Sequence, residues 1–414
     1  MIDLAEAIAR IEAAAAPLAP RRVPLLQACG RRLASPVVSD VDSPPWDRAM
    51  MDGFAVRGAD IAARAGDTVE LDVTIDLAAG DVSGLAVGPG AAARIMTGAP
   101  IPAGADAVVP IEAAVDGTAA AHAGGRVRVR DERFRPGQHI ARQAAAFRCG
   151  QEVLPAGSLL GAAEIGLAAE AGATHVVAQP RPRVAILSTG SELVPPSARP
   201  AFGQTRNSNG PMIAAAVTLL DAEPIPLGLA ADRPEAIRAA VAQGLAADVL
   251  VLSGGVSAGD LDLVPEIYRQ CGVEKRFHKV RLKPGKPVWF GRLAREGADQ
   301  TLVFGLPGNP ASSLVCFELF VRPAVMILAG RPREQWHLPR RRAVLTAAAK
   351  AAADRPVYLP CRLEESAAGL AATPLPWTGS SDLLGLAGAR GLVALAAGGG
   401  RYEAGAKVEV VLRW

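Results

Sequence analysis

The sequence predicts a multidomain protein of mixed α+β and α/β class. A central three-layer α/β domain holds a mostly parallel sheet, an N-terminal helical part carries an inserted β-lobe, and a small β-domain closes the chain. Three observations predict this. First, between residues 184 and 313 an apolar run stops three times in a small glycine-bearing loop followed by helix-like sequence: Val184-Ala-Ile-Leu-Ser-Thr-Gly-Ser-Glu192, Val249-Leu-Val-Leu-Ser-Gly-Gly-Val-Ser-Ala-Gly-Asp260 and Leu302-Val-Phe-Gly-Leu-Pro-Gly-Asn-Pro-Ala-Ser-Ser313. Apolar runs of this kind read as strands buried on both faces, hence a parallel sheet covered by helices. Second, residues 67–141 alternate instead, as in Val69-Glu-Leu-Asp-Val-Thr-Ile75 and Arg126-Val-Arg-Val-Arg130, with Gly or Pro between the runs. That is the texture of a β-lobe. Third, residues 340–414 read as short strands and turns ending in Lys407-Val-Glu-Val-Val-Leu412.

Taken in order, residues 1–34 read as helices, with apolar spacing at Leu4, Ile8 and Ile11 and again at Leu25, Leu26 and Leu33. Ser43-Pro-Pro45 is a break, and residues 159–171 return to helix. Pro180-Arg-Pro182 marks a boundary. Helices are expected near 210–220, 234–246, 260–271 and 309–328, the last opened by Asn309 as N-cap and Pro310 as first helical residue. Arg331-Pro332 opens the last boundary. The expected domains are 1–178 (helical parts 1–40 and 142–178, β-lobe about 41–141), 179–329 and 330–414.

The chain has 414 residues, half of them apolar and 21% charged, the balance of a globular protein. A net charge of +3 is too small for nucleic-acid binding by bulk charge, so any basic site is local. Cys29, Cys149, Cys271, Cys316 and Cys361 form no C-x-x-C pair and read as reduced thiols in the cytoplasm. No signal peptide is read at the start. The most apolar segment, 311–329, carries Glu318, Arg322 and Pro323, and argues against a membrane span of ~20 residues.

Loops at the carboxyl ends of parallel strands are where ligands bind. In Ser253-Gly-Gly-Val-Ser-Ala-Gly-Asp260, Gly254, Gly255 and Gly259 let backbone N–H groups approach an anion, and Ser253 and Ser257 add hydroxyls. Asp260, Asp262 and Glu192 gather at the same sheet edge, where acids beside an anion site call for a cation between them; magnesium fits. Lys279-Val-Arg-Leu-Lys-Pro-Gly-Lys286 places Lys279, Arg281 and Lys283 on one face of an extended stretch, and Pro284-Gly285 turns Lys286 back toward them. Four cations in eight residues suit an oxyanion. Chemistry alone leaves Asp52, in Pro44-Pro-Trp-Asp-Arg-Ala-Met-Met-Asp-Gly-Phe-Ala55, open between core and site. His122, His139, His175, His278 and His337 have no metal-ligand spacing, and no G-x-S-x-G pattern occurs.

Pro44 to Ala55, Arg94-Ile-Met-Thr-Gly-Ala-Pro100, Leu187 to Glu192, Thr205-Arg-Asn-Ser-Asn209, Leu252 to Asp262, Lys279 to Lys286 and Gly305-Leu-Pro-Gly-Asn-Pro310 together resemble the MoeA molybdopterin molybdenumtransferases, which are related to the E domain of gephyrin. The resemblance spans essentially the whole chain. It implies an elongated homodimer whose cleft lies between the α/β domain of one subunit and the N-terminal lobes of the other. It also implies entry of molybdate into adenylylated molybdopterin with release of AMP, magnesium being present. By motif it assigns site positions to Asp52, Thr97, Glu192, Asp232 and Asp262, a basic loop to Lys279, Lys283 and Lys286, the molybdate-pocket wall to Pro307 and Pro310, and a nearby hydroxyl to Ser380. The chain departs from the family pattern at Ala145 and Ala146, where members carry acids, and at Ala49-Met50, where Ser-Ala is usual. Two other functions share these features: adenylylation of molybdopterin, which the extra N- and C-terminal lobes disfavour, and non-catalytic molybdopterin binding. Other cofactor-biosynthesis proteins are expected partners; nucleic acid and membrane are not.

Overall fold

The computed structural model describes residues 1–414 apart from 65, 82–83, 257–262, 296–299, 368 and 414. Two compact units divide the chain: one comprises Met1–Arg21, Gly30–Arg32 and Ala178–Trp414, the other Arg22–Cys29 and Leu33–Val177.

The Arg22–Cys29 and Leu33–Val177 unit is built on a five-stranded sheet in the order Ala107–Pro110, Gly53–Val56, Ala91–Ile95, Val69–Leu77, Arg126–Val129. The alternation in Val69–Leu77 is realised residue by residue, odd positions buried and even ones exposed. Val69, Leu71 and Val73 pack in one core with Phe54 and Val109. After a register shift between Val73 and Ile75, Ile75 and Leu77 pack in another with Ala55 and Val108. Both faces are therefore covered. The helix expected at 159–171 forms over Ala162–Glu170, and Glu164 accepts the Gly161 N–H at 3.0 Å.

The other unit carries a six-stranded sheet in the order Glu223–Ala230, Arg183–Thr189, Val249–Ser253, Gln300–Leu306, Trp289–Ala294, Glu274–His278. The first four strands run parallel and the last two pair antiparallel. Alternate residues of one strand enter different cores: Val249 and Val251 pack on one face, Leu250 and Leu252 on the other. The apolar runs are continuous for this reason, and the domain has three layers. Asn209–Leu219, Pro234–Gly244 and Val264–Gln270 are helices. A long helical run, Pro310–Cys316, Phe317–Val321 as one π turn, then Arg322–Leu328, passes through the larger core. By length and composition it is the one helix among the described residues that could cross a membrane, yet 94% of its apolar window is buried inside the unit. Residues 340–412 close a five-stranded barrel whose own core contains Leu345, Val393 and Val410.

The reading of residues 1–34 as helices needs correction. Leu4–Ala14 is a helix, and it buries Ala7 and Ile11. Arg21–Pro24 is a strand and Leu25–Ala28 a single 3-10 turn. Pro17, Pro20 and Pro24 explain the difference: each lacks an N–H and biases the preceding residue away from helix.

Candidate active site

The strands that carry the three sibling loops, Arg183–Thr189, Val249–Ser253 and Gln300–Leu306, are adjacent in the sheet, so their loops emerge side by side at its carboxyl edge. They bound a hollow of about 970 Å³ lined by Thr189, Glu192, Asn207, Asn209, Asp232, Gly254, Gly255, Pro307 and Pro310, among others. A second hollow of about 590 Å³ is lined by Lys283, Lys286, Ser312, Asp354, Arg355, Trp377 and Ser380. Pro287, Pro307 and Asn309 line both, so the hollows share a wall.

In the larger hollow the glycines serve packing before binding. Gly254 has φ +98°, and a Cβ there would stand 2.4 Å from Thr189 O. Gly255 has φ +59°, and its Cβ would meet Val264 Cγ2 at 2.7 Å. The Gly254 N–H is donated to Leu306 O at 3.1 Å, so that amide does not reach for an anion as the sequence suggested. Ser253 is 1% exposed and its hydroxyl donates to Ser188 Oγ at 3.2 Å, which ties it to the neighbouring strand. Ser257, Gly259, Asp260 and Asp262 lie outside the described residues.

Among the described residues the acids of this hollow are Glu192 and Asp232. Asp232 Oδ2 accepts the Ser191 N–H at 2.9 Å, joining two loops. Two residues that sequence reasoning did not single out stand with them. Thr189 Oγ1 and Asn209 Oδ1 are buried and find no partner among the described residues, although Asn209 Nδ2 donates to Gly308 O at 2.8 Å. Orphaned buried oxygens are costly unless something supplies a donor or a cation. Glu192, Asp232, Thr189 and Asn209 all line this hollow and carry oxygen ligands of the kind that a hard divalent ion such as magnesium takes. Among the described residues no three His, Cys, Asp or Glu converge as a complete metal cage.

The smaller hollow is made by the basic loop and the barrel. Lys283 N donates to Pro356 O at 3.0 Å and Tyr358 N to Lys283 O at 2.8 Å, stitching the loop to the barrel edge. Val280 and Leu282 are buried while Arg281 and Lys283 are exposed. The one-face arrangement expected for the cations holds only in part. Lys279 sits at φ +71°, out of strand geometry, and lines neither hollow. Arg281 Nη1 pairs with Asp3 Oδ1 at 3.0 Å. Ser380 is fixed twice: its hydroxyl accepts from Asn309 Nδ2 at 2.8 Å, and its carbonyl accepts the Ala311 N–H at 3.0 Å. Asp382 caps the next turn, taking N–H bonds from Gly385 and Thr378 at 3.0 Å each, and these hold its carboxyl below the usual range.

Pro307 thus borders both hollows and Pro310 the larger one. Asp52 and Thr97 meet each other in the other unit. Asp52 Oδ1 accepts the Thr97 N–H and hydroxyl, both at 2.7 Å, and those bonds lower its pKa. Ala145 and Ala146 are exposed there, in a loop held by Asp47 through Gln143 N–H at 2.8 Å.

The fold and the paired hollows define a class: an α/β protein with a glycine-lined cleft at the carboxyl edge of its sheet and a second hollow, lined by three cations, beside it. Residues 2–172 match the model of the MoeA N-terminal region (domains I and II), 185–326 that of a probable molybdopterin-binding domain, and 342–412 that of the MoeA C-terminal region (domain IV). A molybdopterin molybdenumtransferase of Nostoc sp. is 39% identical over 74% of this chain and 69% of its own length. One from Bacillus subtilis is 34% identical over 92% and 87%. A crystal structure of the molybdopterin biosynthesis MoeA protein of Pyrococcus horikoshii superposes with a TM-score of 0.78 at 29% identity, covering both chains fully. The chain belongs to the MoeA family of molybdopterin molybdenumtransferases.

Proposed function

We propose that this chain inserts molybdenum into adenylylated molybdopterin and releases AMP, a late step of molybdenum cofactor biosynthesis. The observation that carries the reading is the wall shared by the two hollows. Two anionic reactants need separate subsites that touch, and Pro307 and Asn309 border both. The larger hollow receives the pterin and its phosphoanhydride, with Asn207 and Asn209 offering amide groups and Gly254 and Gly255 keeping the loop free of side chains. Lys283, Lys286 and Arg355 receive molybdate by charge-assisted hydrogen bonds, with the Ser380 hydroxyl beside them. Lys279 acts through the conformation of its loop. Magnesium, held by Glu192 with Asp260 and Asp262, would offset the charge between phosphates and acids. Asp232 orients the Ser191 amide next to Glu192. The protein acts in the cytoplasm as a homodimer in which Asp52 and Thr97 of one subunit complete the cleft of the other, and other cofactor-biosynthesis proteins supply and collect its ligands.

The test is AMP release from adenylylated molybdopterin on addition of molybdate and magnesium. Wild-type protein releases AMP only when molybdate is present. Lys283→Ala lowers that rate about tenfold or more and makes it salt-sensitive. Mixing Lys283→Ala with Asp52→Ala chains recovers part of the rate if the cleft is shared between subunits. Tight binding without molybdate-dependent release would favour a non-catalytic binder. AMP incorporation from ATP would favour the adenylyltransferase.

A further inference from the structure

We propose that Asp354 sets how tightly the smaller hollow holds its oxyanion, by competing from within the protein for the Arg355 guanidinium. This deepens the assignment of that hollow as the oxyanion pocket and rests on it. The described lining residues of the hollow include three cations, Lys283, Lys286 and Arg355, and one carboxylate, Asp354. Asp354 is not a bystander to the cations. Arg355 Nε donates to its Oδ1 at 2.9 Å and Arg355 Nη2 to its Oδ2 at 2.6 Å, a two-bond fork between sequence neighbours. The guanidinium is the more buried partner, its side chain 24% exposed against 57% for the carboxylate. The Arg355 hydrogen bonds, with the Lys286 charge adding, hold the Asp354 carboxyl below the ordinary range. Both effects favour its ionised form. Nor is its chain segment free to swing away: the Lys283–Pro356 and Tyr358–Lys283 backbone bonds fix it against the basic loop.

The consequence is one of charge. Three unopposed cations would hold a tetrahedral dianion firmly. With Asp354 in place the formal charge of the lining groups is +2, equal and opposite to such a dianion, and the Arg355 donors are already partly satisfied. For a substrate that must leave the pocket into a product, weak capture is useful, since binding the ground state more tightly does not raise turnover. A merely structural role for Asp354, holding Arg355 in place, predicts the opposite sign when the acid is removed.

The experiment is calorimetric titration of the full-length protein with tungstate at two salt concentrations, for wild type, Asp354→Asn and Lys283→Ala, with thermal melts to confirm folding. Asp354→Asn is expected to bind tungstate about three- to tenfold more tightly, with a steeper salt dependence. Asp354→Ser replaces it if the asparagine variant does not fold. Unchanged or weaker binding in a folded Asp354 variant, beside saturable wild-type binding that Lys283→Ala weakens, overturns the proposal and leaves the pocket assignment standing. No saturable wild-type binding, or wild-type affinity in Lys283→Ala, overturns the pocket assignment and this proposal with it.

Discussion

Gly254 shows how one residue can serve packing and site together. Its positive φ and the 2.4 Å separation between Thr189 O and a would-be Cβ leave no room for any side chain. Gly254→Ala is expected to lose roughly 1–3 kcal/mol from backbone strain alone. It should also weaken substrate binding, because Thr189 and the loop move apart. Denaturant melts and a binding titration check both, and a variant with wild-type stability would refute the steric reading. The sequence disclosed that glycines stand here, but not why. The contact with Thr189 joins residues 65 positions apart, and spacing along the chain carries no information about it. For the same reason Thr189 and Asn209 went unremarked as orphaned oxygens, and Ser253, chosen for its hydroxyl, proved tied to Ser188.

At the scale of an element, the helical run from Pro310 to Leu328 was legible as an apolar segment opened by Asn309-Pro310. Its π turn over Phe317–Val321, and what that turn places inside, were not. Glu318 is 3% exposed, its Oε2 finds no hydrogen-bond donor among the described residues, and Arg322 Nη1 stands 3.7 Å away. Burial pushes its carboxyl up to about 7, against the opposing pull of Arg322 and Arg413. A carboxyl raised in the folded state stabilises while protonated. That contribution is complete below its unfolded value of 4.5 and lost as the pH rises to about 7. The stability of wild type relative to Glu318→Gln should therefore fall by roughly 3 kcal/mol between those two pH values and level off above them. A flat difference across that window would contradict the burial of an ionisable group. The basic loop teaches a related lesson. Alternation along Val280, Arg281, Leu282 and Lys283 was readable, whereas the positive φ of Lys279 and the Asp3–Arg281 pair depend on chain remote in sequence.

At the scale of the whole molecule, the sheet order turns three similar sequence motifs into one site. Strands beginning at residues 183, 249 and 300 are neighbours, so loops far apart in the chain share one edge. That much follows from recognising parallel strands. The second hollow does not, because Asp354, Arg355 and Ser380 come from the segment around a barrel whose docking against the basic loop no local pattern encodes. We propose that the metal oxyanion binds in this hollow, which shares Pro287, Pro307 and Asn309 with the glycine-lined cleft. The most direct measurement is the anomalous scattering of tungsten in a crystal soaked with tungstate. A peak is expected among Lys283, Lys286, Arg355 and Ser380. A peak only in the larger hollow or on the outer surface, or none after a saturating soak, would contradict the proposal.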